Sequence, residues 1–422
     1  MKVRVAPAAQ WLREVGREHR PERRLGVLVE AARRSLPGAL LGDRADTAAY
    51  LEALCGIVEI EKHGHWLLQP DPVAGATRRL TVVRAGRGVL DPSAADELVA
   101  AGRISIRGLR DRSKQDGFGL PMVAWFRAGS AFLAREPGVP PAGMAVPVTA
   151  VLTFDGAGGA RLQFVRALQS ETVRVGGRER KLAADFSAPL ALLIAKGANR
   201  ALDVVSLIFP MKHLHRMGLY QLQPYEPGKI PVVLVHGLMS RPETWREAVN
   251  ELLADREIRR NYQFWFYLYP TGLPVWKSAA GLRSELDRFN AALAPRARTR
   301  AERARLGGKV LVGHSMGGLV SSLEIREGGE HLWGRFSDKK FADVPLPESA
   351  RERLRQLVVF SPRTDVSRVV FMAVPHRGSP IALRRSVGLA AGMVRFAFPE
   401  LQPHLRLLLM KLRDDVRRHF AV

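Results

Sequence analysis

The stretch Lys309-Val-Leu-Val-Gly-His-Ser-Met-Gly-Gly318 decides the reading of this chain. Val310 to Val312 is a short apolar, β-branched run that reads as a buried strand, and it ends in Gly313-His314-Ser315-Met316-Gly317. This is the Gly-x-Ser-x-Gly pattern of a sharp strand-to-helix turn with a serine at its apex. Gly313 and Gly317 carry no Cβ, so strand and helix can approach closely around a strained turn. Ser315 is then held out at the end of the sheet. The backbone N–H of Met316 is left free at a helix N-terminus, where it can face a developing negative charge. The residues from Leu319 to Ile325 read as the helix that the turn requires.

Working outward, a second apolar run lies upstream: Ile230-Pro-Val-Val-Leu-Val-His-Gly-Leu238 ends in His236-Gly237. A helical stretch from Pro242 to Ala254, a strand from Tyr262 to Tyr269 and a helix from Val275 to Ala294 connect it to the serine turn. Downstream, Val369-Val-Phe-Met-Ala-Val-Pro-His-Arg-Gly-Ser379 reads as the next strand and the loop at its C-terminal end. The loop Tyr269-Pro-Thr-Gly272 ends a strand on the same side and is expected to shape the pocket.

With these segments in this order, the chain resembles the α/β-hydrolase superfamily, and within it bacterial lipase-like and esterase-like members with a long N-terminal extension. The resemblance runs from about Tyr220 to Pro380, and in Val374-Pro375-His376-Arg377-Gly378 a valine stands where such members often carry threonine. It implies an α/β fold: an α/β-hydrolase core, a mostly parallel sheet with helices on both faces, preceded by a mixed α/β region. It implies Ser315 as an acyl-accepting nucleophile, with the backbone N–H groups of Leu238 and Met316 as the oxyanion hole. His236, Gly237, Gly313, His314, Gly317 and His376 are then motif or pocket residues. No cofactor and no metal is implied.

A serine hydroxyl needs a base, and histidine oriented by a carboxylate suits the task. In this superfamily the acid and then the histidine follow later strands. Here the residues beyond Pro380 read as helices, Leu389 to Phe398 and Leu401 to Phe420, and no further strand is visible. Asp414, Asp415, His404 and His419 lie in that tail without a strand before them. The C-terminal part of the fold is therefore expected to be absent, with a cap-like helical tail from about residue 381, as core packing or as a lid that meets lipid. His376 ends a strand on the right face, but the resemblance makes it a loop organiser rather than the base.

Residues 1 to 218 read as a separate mixed α/β region, and 219 to 422 as the hydrolase domain. Helices are expected over Ala8 to Leu36, broken at Pro21, over Thr47 to Ile57, and from Asp185 to Lys196 with Asp185 or Ser187 as the cap. Strands are expected over Thr77 to Arg84, Val146 to Phe154, Gln163 to Leu168 and Glu171 to Val175, the last before a hairpin turn at Gly176-Gly177. Tyr220 to Pro227 reads as a linker, and Arg326 to Thr364 as an insertion. His63 and His65 would share one side of a strand, but no partners complete a metal set. Cys55 is the only cysteine, which excludes an internal disulfide and a cysteine-based zinc site.

The formal charge is +24, which permits attraction to an anionic membrane surface. The arginines are scattered rather than blocked, and no nucleic-acid module is visible, so nucleic acid is not the expected partner. No apolar signal core or membrane-spanning run stands out, so a cytoplasmic location is expected, and the basic charge leaves peripheral membrane association open as an alternative to a merely solvated surface. The expected activity is a serine hydrolase acting on a small-molecule or lipid ester. The alternatives are an acyltransferase using the same acyl-enzyme, and a non-catalytic α/β-hydrolase fold used for binding or as a scaffold.

Overall fold

The computed structural model describes residues 21–63, 80–86, 88–106, 109–155, 159–197, 217–238, 240, 242–334, 340–343 and 348–378. The chain divides into two compact units. The first comprises Met1–Arg135, Pro141–Asn199 and Glu247–Arg260; the second comprises Glu136–Pro140, Arg200–Arg246 and Asn261–Val422.

In the first unit a sheet runs in the order Leu80–Val83, Ala160–Arg166, Met144–Phe154, Leu120–Phe126, Glu97–Ala100, with Val89–Leu90 added on Ala160–Arg166. Only the first pairing is parallel. The helix Pro21–Leu41 begins at the proline expected to break it, since a proline at the first helical position loses no hydrogen bond. The helix Arg44–His63 lies against it, and its Tyr50 hydroxyl accepts from Leu152 N–H at 2.9 Å and donates to Leu152 O at 2.8 Å. His63 thus ends a helix rather than lying on a strand, and residues two apart on a helix do not share a face. His65 lies outside the described residues. Asp185 Oδ1 accepts from the N–H groups of Ser187 and Ala188, as a cap of the helix Ser187–Gly197. Gly176 and Gly177, with φ of 58° and 77°, turn the hairpin between Thr172–Val175 and Arg178–Lys181. The strands Leu120–Phe126 and Glu97–Ala100 had no clear alternation in the sequence, because Leu120–Phe126 is buried over most of its length.

The second unit is built on a mixed five-stranded sheet flanked by helices on both sides. Its strands are β1 (Gly218–Gln221), β2 (Ile230–Val235), β3 (Tyr262–Leu268), β4 (Lys309–His314) and β5 (Val366–Met372). Among the described residues its helices are α1 (Val275–Leu293), α2 (Arg300–Leu306), α3 (Met316–Ser322), α4 (Glu330–Trp333) and α5 (Glu348–Val358). The sheet order is β1-β3-β2-β4-β5, all parallel except the edge strand β1. One face packs Val233, Val235, Trp265, Tyr267 and Leu311 against Leu282, Leu286 and Phe289 of α1 and Val320 of α3. The expected linker is corrected here, since its first residues, Tyr220 and Gln221, end strand β1. The polar letters misled because Gln221 is buried yet satisfied: its Oε1 accepts from Gly138 N–H at 3.0 Å and its Nε2 donates to Glu136 at 2.9 Å. The region read as an insertion contains α4 and α5, and α5 packs on α1. Among the described residues no helix is long and apolar enough to cross a membrane.

Candidate active site

The ends of β2, β4 and β5 meet at Ser315. Strand β4 lies between the other two, with Val235 opposite Gly313 and Met372 opposite His314. Helix α3 starts at Met316, earlier than the sequence pattern placed it, so Ser315 itself is the junction. Its backbone stands at φ 53°, ψ −121°. Among the described residues only Ala373 is a second non-glycine with positive φ. The turn is held because Ser315 N–H donates to Met372 O at 2.9 Å and Gly318 N–H donates to Ser315 O at 3.0 Å. The glycines explain how the chain fits. A Cβ on Gly317 would lie 2.2 Å from Val235 O, and one on Gly313 would lie 2.5 Å from Gly318 Cα. A Cβ on Gly237 would lie 3.1 Å from Ser315 Cβ, so the loop after β2 passes directly beside the serine.

His236 is a buried strut rather than a titrating group. Tyr269 N–H donates to its Nε2 at 3.4 Å, which leaves Nδ1 to carry the proton and donate to Gly237 O at 3.0 Å. The Tyr269 ring stacks on the imidazole at 4.5 Å, and its hydroxyl donates to His236 O at 2.7 Å. Burial pushes the imidazole down to about 4 against the opposing effect of the Gly237 carbonyl, so it is neutral at physiological pH. His236 and the Tyr269 loop thus fix the path of Gly237 and Leu238. The side chain of Leu238 is exposed, and Met316 leans on the core. His314 has a buried Nδ1 with no hydrogen-bond partner among the described residues, and its ring lies edge-on to Trp245 at 6.5 Å.

His376 is exposed, edge-on to Phe371 at 4.7 Å, in the turn closed by Gly378 N–H to Pro375 O. No hydrogen bond joins it to Ser315, and among the described residues no side chain bonds to Ser315 Oγ. The structure therefore brings His236, Gly237, Leu238, Gly313, His314, Ser315, Met316 and Gly317 together and sets His376 on the adjoining loop. Ser379, His404, Asp414, Asp415 and His419 lie outside the described residues, as does the tail expected to be helical.

Two buried charge clusters in the second unit were not legible in the sequence. Lys309, at the far end of β4 from Ser315, is fully buried, and its Nζ donates to Leu306 O, Asn290 Oδ1 and Asp365 Oδ2 at 2.7, 2.6 and 3.0 Å. Burial opposes ionisation of Asp365, but hydrogen bonds from Arg363 and Asn290 and the Lys309 charge hold its carboxyl well below the usual range. Glu324, just past α3, is wholly buried, with Arg283 Nη1 3.5 Å away. That distance gives charge attraction but no hydrogen bond, and neither carboxyl oxygen has a hydrogen-bond partner among the described residues. Burial pushes Glu324 up to about 8, with Arg283 opposing.

No curated protein and no solved structure matches the chain. The family model described as the alpha/beta hydrolase family matches residues 232–421. The match begins in β2, takes in the serine turn, and continues through the tail, so it lends no support to the expected loss of the C-terminal part of the fold. Strand order, the serine turn and the family match agree: residues 232–421 are an α/β-hydrolase domain, preceded by a large N-terminal α/β region.

Proposed function

We propose that this domain is a serine hydrolase of carboxylic esters, of lipase or esterase type, with Ser315 as the nucleophile. The observation that carries the reading is the backbone of Ser315, at φ 53° between two glycines that admit no side chain. Such a conformation costs about 1–3 kcal/mol and is retained where the surrounding structure enforces it. Ser315 Oγ would attack the ester carbonyl as a base takes its proton. The oxyanion would accept from the N–H groups of Met316 and Leu238, neither of which donates to another described residue. The alcohol leaves with a proton, and water then clears the acyl group. His376, His404 and His419 are the candidates for the base. The competing reading, a non-catalytic fold used for binding, is favoured by the lack of any described partner for Ser315 Oγ.

Fluorophosphonate labelling read by intact mass separates the two. A single adduct, lost in Ser315→Ala and in one of His376→Gln, His404→Gln or His419→Gln, is the expected result. No adduct in folded protein would overturn catalysis by Ser315.

A further inference from the structure

The first unit contains a cavity of about 440 Å3 that the chemistry above does not use. Ligand pockets span roughly 300–1,000 Å3, so it is large enough for a small molecule. It lies between the helix Arg44–His63 and the strands Glu97–Ala100 and Leu120–Phe126. Cys55, Val58 and Glu59 stand at i, i+3 and i+4 and so share a helix face. Exposure orders the lining from floor to mouth. Val58, Leu98 and Met122 are buried, whereas Arg24 is exposed and the paired Glu59 and Arg103 side chains are 40% and 63% exposed.

The mouth therefore carries two guanidinium groups and one carboxylate. Arg103 is engaged by Glu59. Arg24 makes no hydrogen bond and no ion pair among the described residues. An apolar floor with one guanidinium above it that has no partner among the described residues matches an amphiphile with a single negative charge. Arginine favours a planar carboxylate because two N–H groups can donate in parallel. We propose that this cavity binds an apolar small molecule ending in a carboxylate, of the fatty-acid class. Its chain lies on Val58, Leu98 and Met122, and its carboxylate pairs with Arg24. A neutral lipid would leave the guanidinium unused, and a second negative charge on the head group would find Arg103 already engaged by Glu59. This site is independent of the reading of Ser315.

Cys55 lines the cavity and is the only cysteine of the chain, so alkylation by iodoacetamide reports occupancy at one position. Decanoate should slow that alkylation saturably, with decanol at least about tenfold less effective and acetate without effect. Arg24→Gln should weaken decanoate about tenfold and leave decanol unchanged. Ala100→Phe, which fills the cavity from a half-buried lining position, should abolish protection by both. Burial and the neighbouring Glu59 push the Cys55 thiol up, so alkylation will be slow at neutral pH. Calorimetric titration of decanoate into native and Arg24→Gln protein gives the same answer without the thiol. Failure of decanoate to bind, or equal binding of decanol and decanoate, would overturn the proposal.

Discussion

Gly317 and Gly318 are adjacent, yet adding one methyl group to each should have different consequences. A Cβ on Gly318 would lie 2.0 and 2.9 Å from the two Cγ atoms of Val374 and 3.0 Å from its Cβ. Carbon atoms rest at roughly 3.5–4.0 Å, so one methyl must retreat by about 1.5 Å or more. Valine is stiff at χ1 and both of its methyls face the intruder, so rotation offers no relief. The loop carrying His376 must shift instead, at the usual overpacking cost of about 1–3 kcal/mol. Val374→Ala removes both methyls and should cost about 1 kcal/mol alone, since the side chain is only half-buried. The double variant should therefore be about as stable as Val374→Ala, a favourable coupling of about 1–3 kcal/mol. A Cβ on Gly317 meets backbone instead, Val235 O at 2.2 Å and His236 O at 2.5 Å. No side-chain truncation can relieve that, so Gly317→Ala should cost more than about 3 kcal/mol. Urea unfolding of the native protein and the four variants, followed through the transition that Val374→Ala shifts, tests this. Additive losses in the double variant, or equal losses at the two glycines, would refute the packing account.

Further outcomes follow from the buried polar groups. Because Glu324 titrates near 8 when folded against an ordinary 4.5, the folded state holds the extra proton in that window, and stability falls as pH rises through it. The loss is at most about 5 kcal/mol at about 1.4 kcal/mol per pH unit; Glu324→Gln should flatten the slope between pH 5 and 8, and an unchanged slope would exclude Glu324 as its source. Asp365→Asn leaves the buried Lys309 ammonium without its counter-charge and should cost about 3–5 kcal/mol, read by denaturant titration. In the native protein the stabilisation from Asp365 is present above its ordinary 3.8 and is lost as pH falls below it. Tyr269→Phe leaves His236 O without its hydroxyl donor and should cost about 1–2 kcal/mol. It should also slow fluorophosphonate capture by loosening Gly237 and Leu238; an unaltered rate would separate that strut from the site.

The sequence alone determined what is written in short-range patterns. The apolar runs before His236 and Gly313 set parallel strands, because a strand covered on both faces reads as a continuous apolar stretch. The glycines at 313 and 317 set the turn, because no other residue permits backbone contact at such distances. What depends on pairing across long separations was not legible. Gln221 read as linker because the partners that allow its burial, Glu136 and Gly138, lie more than 80 residues away. Lys309 gave no sign that Asp365, 56 positions later, would neutralise it. The motif made His236 a pocket residue, but the reason its imidazole stays neutral, burial with Tyr269 stacked on its ring outweighing Gly237 O on its Nδ1, exists only in the fold. The segment Glu247–Arg260 lies between two strands of the second unit, yet it joins the first, where Asn250 meets Ser187 at 2.6 Å. Periodicity and glycine placement act within a few residues and survive in the linear chain; desolvation, counter-charges and cavities exist only once distant segments have been brought together.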